Sequence, residues 1–430
     1  MRRPSPAAAL LVLVLVATAC GDASDDDGSA DGPGTATTAP DGSGERPADG
    51  PGFDGATIRV GVITDPTGSA GAIADPTTAG SRAYFDALNA AGGVADRYEV
   101  ELVEADGDPA ATTADAAYQA IRDDVVLIAQ ILGTDTVAGL LPRLAEDGLV
   151  ASPASLDASW VHEQQLLPVG GPYQVQAANA LTWYVEGGSG GSPDDDICAL
   201  VRDDPDGDAG LEGFEAAADA NDLELAEVVT FPAGESDFAD EVDALDRAGC
   251  DLVLFVGLPA ETSAALRRAA RSTPPFTPQW IGQSSSWEGQ LASSDLGSYL
   301  QEHLLVAGEG TEWGDTSVPG MAQLLEDAPA AQLPDLHFAF GYAQARAVHQ
   351  VLEAAVAAGD LSRDGIRAAM GSIEMLTFDG LIGNYRYGAP EDRDPPRAST
   401  IFAVDPTAPG GLRNLEADVI SDVARDLEFD

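Results

Sequence analysis

Between Thr57 and Pro109 the apolar positions change period from two to about three and a half and back, and the rest of the chain repeats that change. Ile58, Val60 and Val62 alternate with other residues, the period of a strand. Asp75-Pro76 then pairs a helix N-cap residue with a first-turn proline. Ala83, Tyr84, Ala87 and Leu88 recur at helical spacing, and Gly92-Gly93 ends the helix. Val100 and Leu102 start a second strand, and Asp108-Pro109 opens a second helix as the first was opened. The stretch is a βαβ unit without the glycines of a phosphate-binding loop, so its use is not nucleotide binding.

The alternation continues. The pattern predicts a buried strand over Val125–Ala129, a helix over Val137–Glu146 and a strand over Leu149–Ser152. A polar, loop-like stretch runs to Gly171, and the pattern then restarts with a helix over Val175–Val185. Strands over Ile197–Val201, Leu225–Phe231 and Leu252–Val256 alternate with helices over Leu211–Ala220, Phe238–Ala248 and Thr262–Arg271. Strand and helix in strict turn argue for parallel sheets with helices on both faces. Two sets of this size give an α/β protein of two doubly wound lobes. Ligands of such sheets sit beyond the carboxyl ends of the strands, so two facing lobes would form a cleft.

The N-terminus reads as an address. Arg2 and Arg3 precede a short apolar run, Ala7–Val16, too short to span a bilayer as a mature helix. Ala17-Thr18-Ala19-Cys20 resembles a bacterial lipobox, with Ala17 in place of the usual leucine. This predicts a lipoprotein signal peptide over residues 1–19 and a diacylated Cys20 that anchors the chain to the outer face of the cytoplasmic membrane. Residues 20–55, rich in Gly, Ser, Asp, Pro and Thr, lack apolar periodicity and read as an acidic, disordered tether.

Charge removes some partners. The 430 residues carry 72 acidic and 21 basic side chains, a formal net charge of −51, and every basic one is arginine. Nucleic acid and anionic membrane surfaces would repel such a chain. Dense carboxylates also favour solubility and tolerate salt. Of three cysteines, lipidation of Cys20 leaves Cys198 and Cys250 as an even pair in an exported chain. Both stand at the starts of expected strands, which a parallel sheet can bring within disulfide reach.

The order of motifs resembles the type I periplasmic binding fold, and in detail the leucine/isoleucine/valine-binding branch of ABC-transporter substrate-binding proteins. The carriers are RVGVITDPTG, Leu88–Val94, Glu104–Pro109, Val150–Pro153, Ser236-Asp237-Phe238, AGCDLVLFVG, PDLHFAFGYAQA with Tyr342, and Thr377–Gly380. The likeness covers about Thr57–Pro406. It implies three hinge crossings, near Gly170, Ala307 and Phe378. The lobes would then be residues 56–170 with 308–378, and 171–307 with 379–430.

The resemblance also implies where a ligand lies. Thr134, in the loop Gly133-Thr134-Asp135-Thr136, matches a hydroxyl that binds a ligand carboxylate, and a hydroxyl at a helix N-terminus suits that group. It also suits a plain helix cap. Ala154 and Ser155 match the segment that reaches both ends of an amino acid. Glu261 matches an acid that pairs with the ligand ammonium, although a helix-start glutamate is favoured by the dipole alone. Phe238 falls at an aromatic position that packs on the ligand in relatives, or is helix-face core. Two positions depart from the pattern: Ile73 stands where the family has an aromatic wall, and Asp206 where it often has an aromatic residue before a glycine. An acid at the second makes the pocket less suited to a leucine-type ligand and more open to cationic or polar ones.

Catalysis has little support. The four histidines show no metal-ligand spacing, and Gly282–Ser286 lacks the second glycine of a nucleophile elbow. Asp204, Asp206, Asp208 and Glu215 have EF-hand-like spacing, but Ala209 stands where that loop needs glycine. No cofactor or metal is expected. The reading is therefore a monomeric, non-enzymatic, lipid-anchored binding protein of an ABC importer, taking a small amino acid or amide and docking on a permease. A ligand-sensing subunit for a membrane receptor is the alternative.

Overall fold

The computed structural model describes Pro47 and residues 50–107 and 111–429. The leader, Cys20 and the Asp108-Pro109 helix opening lie outside the described residues. In chain order the elements are β1 (Thr57–Thr64), α1 (Gly71–Ala91), β2 (Glu99–Asp106), α2 (Ala111–Ile121), β3 (Leu127–Ile131), α3 (Thr134–Asp147) and β4 (Ala151–Pro153). Next come α4 (Tyr173–Val185), β5 (Ile197–Arg202), α5 (Pro205–Ala220), β6 (Leu225–Phe231), α6 (Ala239–Ala248), β7 (Leu252–Val256), α7 (Pro259–Ala270), β8 (Gln279–Gln283), α8 (Gly297–His303) and β9 (Leu304–Gly308). The chain ends with α9 (Pro319–Asp327), α10 (Leu336–Ala358), α11 (Arg363–Ser372), β10 (Met375–Leu376), β11 (Tyr385–Arg386), β12 (Ser399–Val404), β13 (Leu412–Val419) and α12 (Asp422–Asp426).

Two sheets carry the fold. The first is parallel, in the order β2-β1-β3-β4. The second has the order β13-β12-β9-β8-β7-β5-β6, parallel from β9 to β6, with β12 and β13 added antiparallel at one edge. The expected pair of wound α/β lobes is present, the second one with a mixed sheet. Central strands are buried on both faces, which is why β7, LVLFV, shows no alternation. Asn89 ties α1 to the sheet by pairing with both the N–H and the C=O of Val100, each at 2.8 Å.

Helix α1 begins at Gly71, and Pro76 lies inside it. The Asp75-Pro76 start expected from sequence is thus five residues late. Pro76 is the sixth helical residue, past the first turn, so it leaves the Ala72 carbonyl without the intrahelical N–H it would otherwise receive. Helix α10 lies against α1. At their crossing a Cβ on Gly341 would stand 1.9 Å from the Thr77 carbonyl oxygen, and one on Gly80 2.1 Å from that of Phe338. Only glycine lets the two backbones approach so closely.

The chain passes between the lobes three times. Val169 belongs to the first core and Val175 to the second, so the first crossing is at Gly170-Gly171. The second falls between Ala307 and Met321. The third differs from the expectation near Phe378. Phe378, Leu381, Ile382, Tyr385 and Tyr387 all pack in the first core, where β10 and β11 pair as a short hairpin, and the crossing follows Tyr387. Residues 379–387 therefore pack with the first lobe. The fold also includes residues before position 56. Phe53 is buried against Tyr98, ring edge to face at 5.2 Å, and bridges to Ile58. One aromatic in a run of Gly, Pro and Asp gave no period to read.

Cys198 and Cys250 are joined by a disulfide, with Cα atoms 5.9 Å apart. Parallel pairing of β5 with β7 sets Cys198 beside Val253 and brings the start of β7 close enough for Cys250 to reach it. Among the described residues no helix is long and apolar enough to cross a membrane.

Candidate functional site

The carboxyl ends of both sheets face a common cavity of about 250 Å³. The first lobe supplies Ile73, the loop after β3 with Thr134, and the loop after β4 with Ala154 and Ser155. The second supplies the turn after β5, from Arg202 to Asp206, and Ser284 after β8. Glu309 and Trp313 enter from the second crossing, Phe340 from α10, and Leu381 and Ile382 from the β10–β11 loop. Trp313, Phe340, Leu381 and Ile382 form an apolar wall that sequence reading misses, because its members come from segments far apart in the chain.

Of the residues expected at the site, Ile73, Thr134, Ala154, Ser155 and Asp206 line the cavity. Each has local commitments. Ala154 N–H donates to the Ile131 carbonyl at 2.8 Å, and Ser155 Oγ accepts from Trp160 Nε1 at 2.8 Å. Two residues are elsewhere. Phe238, 1 % exposed, packs edge-on to Phe231 at 4.9 Å inside the second core. Glu261 is 3 % exposed, and its carboxylate faces the protein. It accepts from the N–H of Gly234 and of Leu258, each at 2.7 Å, which secures the head of α7. The dipole-favoured helix-start role is the one the geometry supports for Glu261.

At the second-lobe edge a guanidinium sits among carboxylates. Arg202 Nε donates to Asp204, Nη2 to Asp206 at 2.8 Å, and Nη1 stands 3.8 Å from Glu261. Burial alone would lower the Arg202 pKa; Asp206, Asp204 and Glu261 more than offset it. Asp206 also reaches across the cleft and accepts from the Thr134 hydroxyl at the head of α3. Burial pushes the Asp206 carboxyl up to about 6, against the pull of Arg202 and the Thr134 bond. Asp204 caps α5 by accepting from Gly207 N–H, so residues 205–220 are helical where the EF-hand spacing would need a loop. Among the described residues no cluster of His, Cys, Asp and Glu is arranged to hold a metal ion. Arg202 carries no motif in the sequence, though it ends a buried strand, where an arginine needs acids beside it.

Glu309 joins the crossings. It lies on the second, and its carboxylate accepts from Gly171 N–H on the first at 2.6 Å and from Gly383 N–H, on the segment before the third, at 2.8 Å. Burial raises its carboxyl to about 7, although both N–H groups favour the ionised form.

A family profile described as periplasmic binding protein matches residues 57–410. The chain belongs to that family. Its fold is the type I periplasmic binding fold, as the order of sequence motifs implied. No curated protein matches the sequence. Among solved structures, a fatty acid ABC transporter substrate-binding protein from Thermomonospora curvata superposes with a TM-score of 0.79 at 24 % identity, over 89 % of this chain and 97 % of that one. A branched chain amino acid ABC transporter protein from Thermus thermophilus with bound valine gives 0.73 at 15 %, over 86 % and 98 %. A leucine-binding protein from Thermotoga maritima gives 0.69 at 17 %, over 85 % and 99 %. At these identities the likeness is one of fold.

Proposed function

We propose that this periplasmic binding protein is the extracytoplasmic, lipid-anchored solute receptor of an ABC importer. It acts as a binding protein rather than an enzyme. It holds a small molecule between its lobes and presents the closed form to a permease. The observation that carries the reading is the cavity of about 250 Å³ at the carboxyl ends of both sheets, walled by Trp313, Phe340, Leu381 and Ile382. That volume lies just below the usual range for small-molecule sites, and a lining whose accessible surface is mostly apolar is their usual composition. Closure follows ligand because only the closed form touches it from both sides.

The apolar wall supports a ligand with an apolar body. An α-amino acid has support from Thr134 and Ser155 on the cavity wall and from the fold shared with a valine-bound protein. It lacks the expected ammonium partner, because Glu261 is buried away from the cavity wall and bonded to backbone N–H groups. An amide or another apolar molecule with a small polar head fits the same space without needing Glu261. The Thermomonospora curvata protein is named for a fatty acid, which is also an apolar body.

A thermal-shift screen of the mature protein against amino acids, alkyl amides, alkyl amines and fatty acids tests the reading. At least one apolar-bodied compound is expected to raise the melting temperature in a concentration-dependent way. Stabilisation confined to polar, apolar-free solutes such as sugars would contradict it. The anchor is tested by palmitate labelling in a bacterial host. The label should be lost in Cys20→Ser, and a label that persists there would exclude Cys20 as the attachment point.

A further inference from the structure

The polar part of the cleft lining is strongly acidic. Asp135, Asp204, Asp206, Glu309, Glu312 and Asp335 line it, against the single guanidinium of Arg202. That guanidinium is already engaged. Its Nε and Nη2 donate to Asp204 and Asp206, and its Nη1 stands 3.8 Å from Glu261. The Thr134 hydroxyl, at the head of α3, is engaged too, and its acceptor is Asp206 from the opposite lobe. A hydroxyl, a helix N-terminus and an arginine together make a good carboxylate site. Here the chain's own carboxylate occupies it. Asp206 is held there by α5, whose N-cap Asp204 shares the same arginine.

We propose that Asp206 is the specificity-determining residue of this cleft: it fills the carboxylate position at Thr134 and Arg202 from within, so the cleft takes an apolar-bodied ligand with an uncharged or cationic hydrogen-bond-donating head and rejects the same body carrying a carboxylate. Two carboxylates cannot share one hydroxyl and one arginine in a half-buried cleft, because like charges set side by side repel. A donor head meets the opposite situation. Asp206, Asp204 and Glu312 line the cavity, and their oxygens keep lone pairs beyond their present bonds for an amide N–H₂ or an ammonium, while Trp313, Phe340 and Ile382 cover the carbon chain. The inference rests on the reading of the cleft as a small-molecule site.

The test uses short branched-chain alkyl amides, amines and carboxylates matched in carbon skeleton. They are titrated calorimetrically into the wild-type protein, Asp206→Asn and Asp206→Ala at about pH 8, where Asp206, titrating at about 6, is ionised. Wild type is expected to bind the amide or the amine about tenfold or more tighter than the carboxylate. Asp206→Ala, which frees Thr134 and one face of Arg202, is expected to reverse that order. Asp206→Asn keeps the size and should narrow the gap, which guards against a folding defect in the alanine variant. Equal or tighter binding of the carboxylate by wild type would overturn the inference, as would an order unchanged in both variants. Binding that persists when Ala154→Trp fills the cavity would instead overturn the cleft reading, because the probes would then sit elsewhere.

Discussion

Removing the Glu261 carboxylate separates two roles that the sequence leaves open. If it is a structural cap, as its contacts indicate, Glu261→Ala strips the acceptor from two backbone N–H groups, Gly234 and Leu258, each bonded at 2.7 Å. The site cannot collapse onto them readily. A Cβ on Gly257 would already stand 2.8 Å from Oε2, so the chain is wrapped tightly around this side chain, which is 3 % exposed. Each stranded N–H costs about 1–3 kcal/mol. Relief of one buried negative charge beside Asp204 and Asp206 offsets part of the sum, leaving about 3 kcal/mol. At about 2.1 cal/mol/K of unfolding entropy per residue, a chain of this size would lose about 3 °C in Tm. Glu261→Gln keeps one acceptor but turns an NH₂ toward the other donor, so about half the loss is expected. Differential scanning calorimetry of the ligand-free protein reads the shift, and titration with the best ligand from the screen reads affinity. Glu261→Ala should lower Tm and leave affinity within about threefold, since no ligand contact is removed. A Tm unchanged within about 1 °C, joined to a tenfold loss of affinity, would refute the structural role and return Glu261 to the ligand.

Other perturbations reach other parts of the molecule. Cys198 and Cys250 are 52 residues apart, and cross-linking a loop of that length stabilises by about 4 kcal/mol in the chain-entropy treatment. The Cys198→Ser/Cys250→Ser double variant should show a loss of up to that size in urea unfolding, and an unchanged midpoint would deny the bridge a stabilising role. Glu309 has a carboxyl raised from 4.5 to about 7, so the folded state holds its proton longer than the unfolded chain. Its contribution is fully present below about pH 4.5 and is lost as pH rises through about 7. Unfolding free energies measured across that window should therefore fall with pH more steeply in wild type than in Glu309→Gln. Parallel curves would show that Glu309 titrates normally.

Most of the fold was legible because it is repetitive. Strands such as Leu225–Phe231 and Leu252–Val256 announce themselves by period or by unbroken apolar runs, and each coincides with its predicted bounds. What escaped depends on contacts distant in sequence. The short β10–β11 hairpin and the antiparallel edge formed by β12 and β13 carry little periodicity of their own, and the third crossing, which the resemblance implied near Phe378, follows Tyr387. Thr134, Ala154 and Ser155, which the family resemblance implied, line the cavity because they lie in loops that follow strands of the first sheet, where the βα repeat fixes the direction of the loops. Glu261 also follows a strand, yet its direction is set by Gly234 in a neighbouring loop, which no local pattern reveals. The wall of Trp313, Phe340 and Ile382 assembles only when three crossings bring separate segments together. The departure at Asp206 was visible as an acid in an aromatic position. Its partners, Thr134 across the cleft and Arg202 beside it, were not.

The central claim is that ligand binds between the lobes against the apolar wall, and calorimetric titration at several temperatures tests it most directly. The best apolar-bodied ligand from the screen would be titrated into wild type and into Ala154→Trp, which places a large side chain in the cavity that Ala154 lines. The account predicts a negative heat-capacity change of binding in wild type, the mark of buried apolar surface, and loss of binding in the variant. Undiminished affinity in a folded Ala154→Trp protein would contradict it.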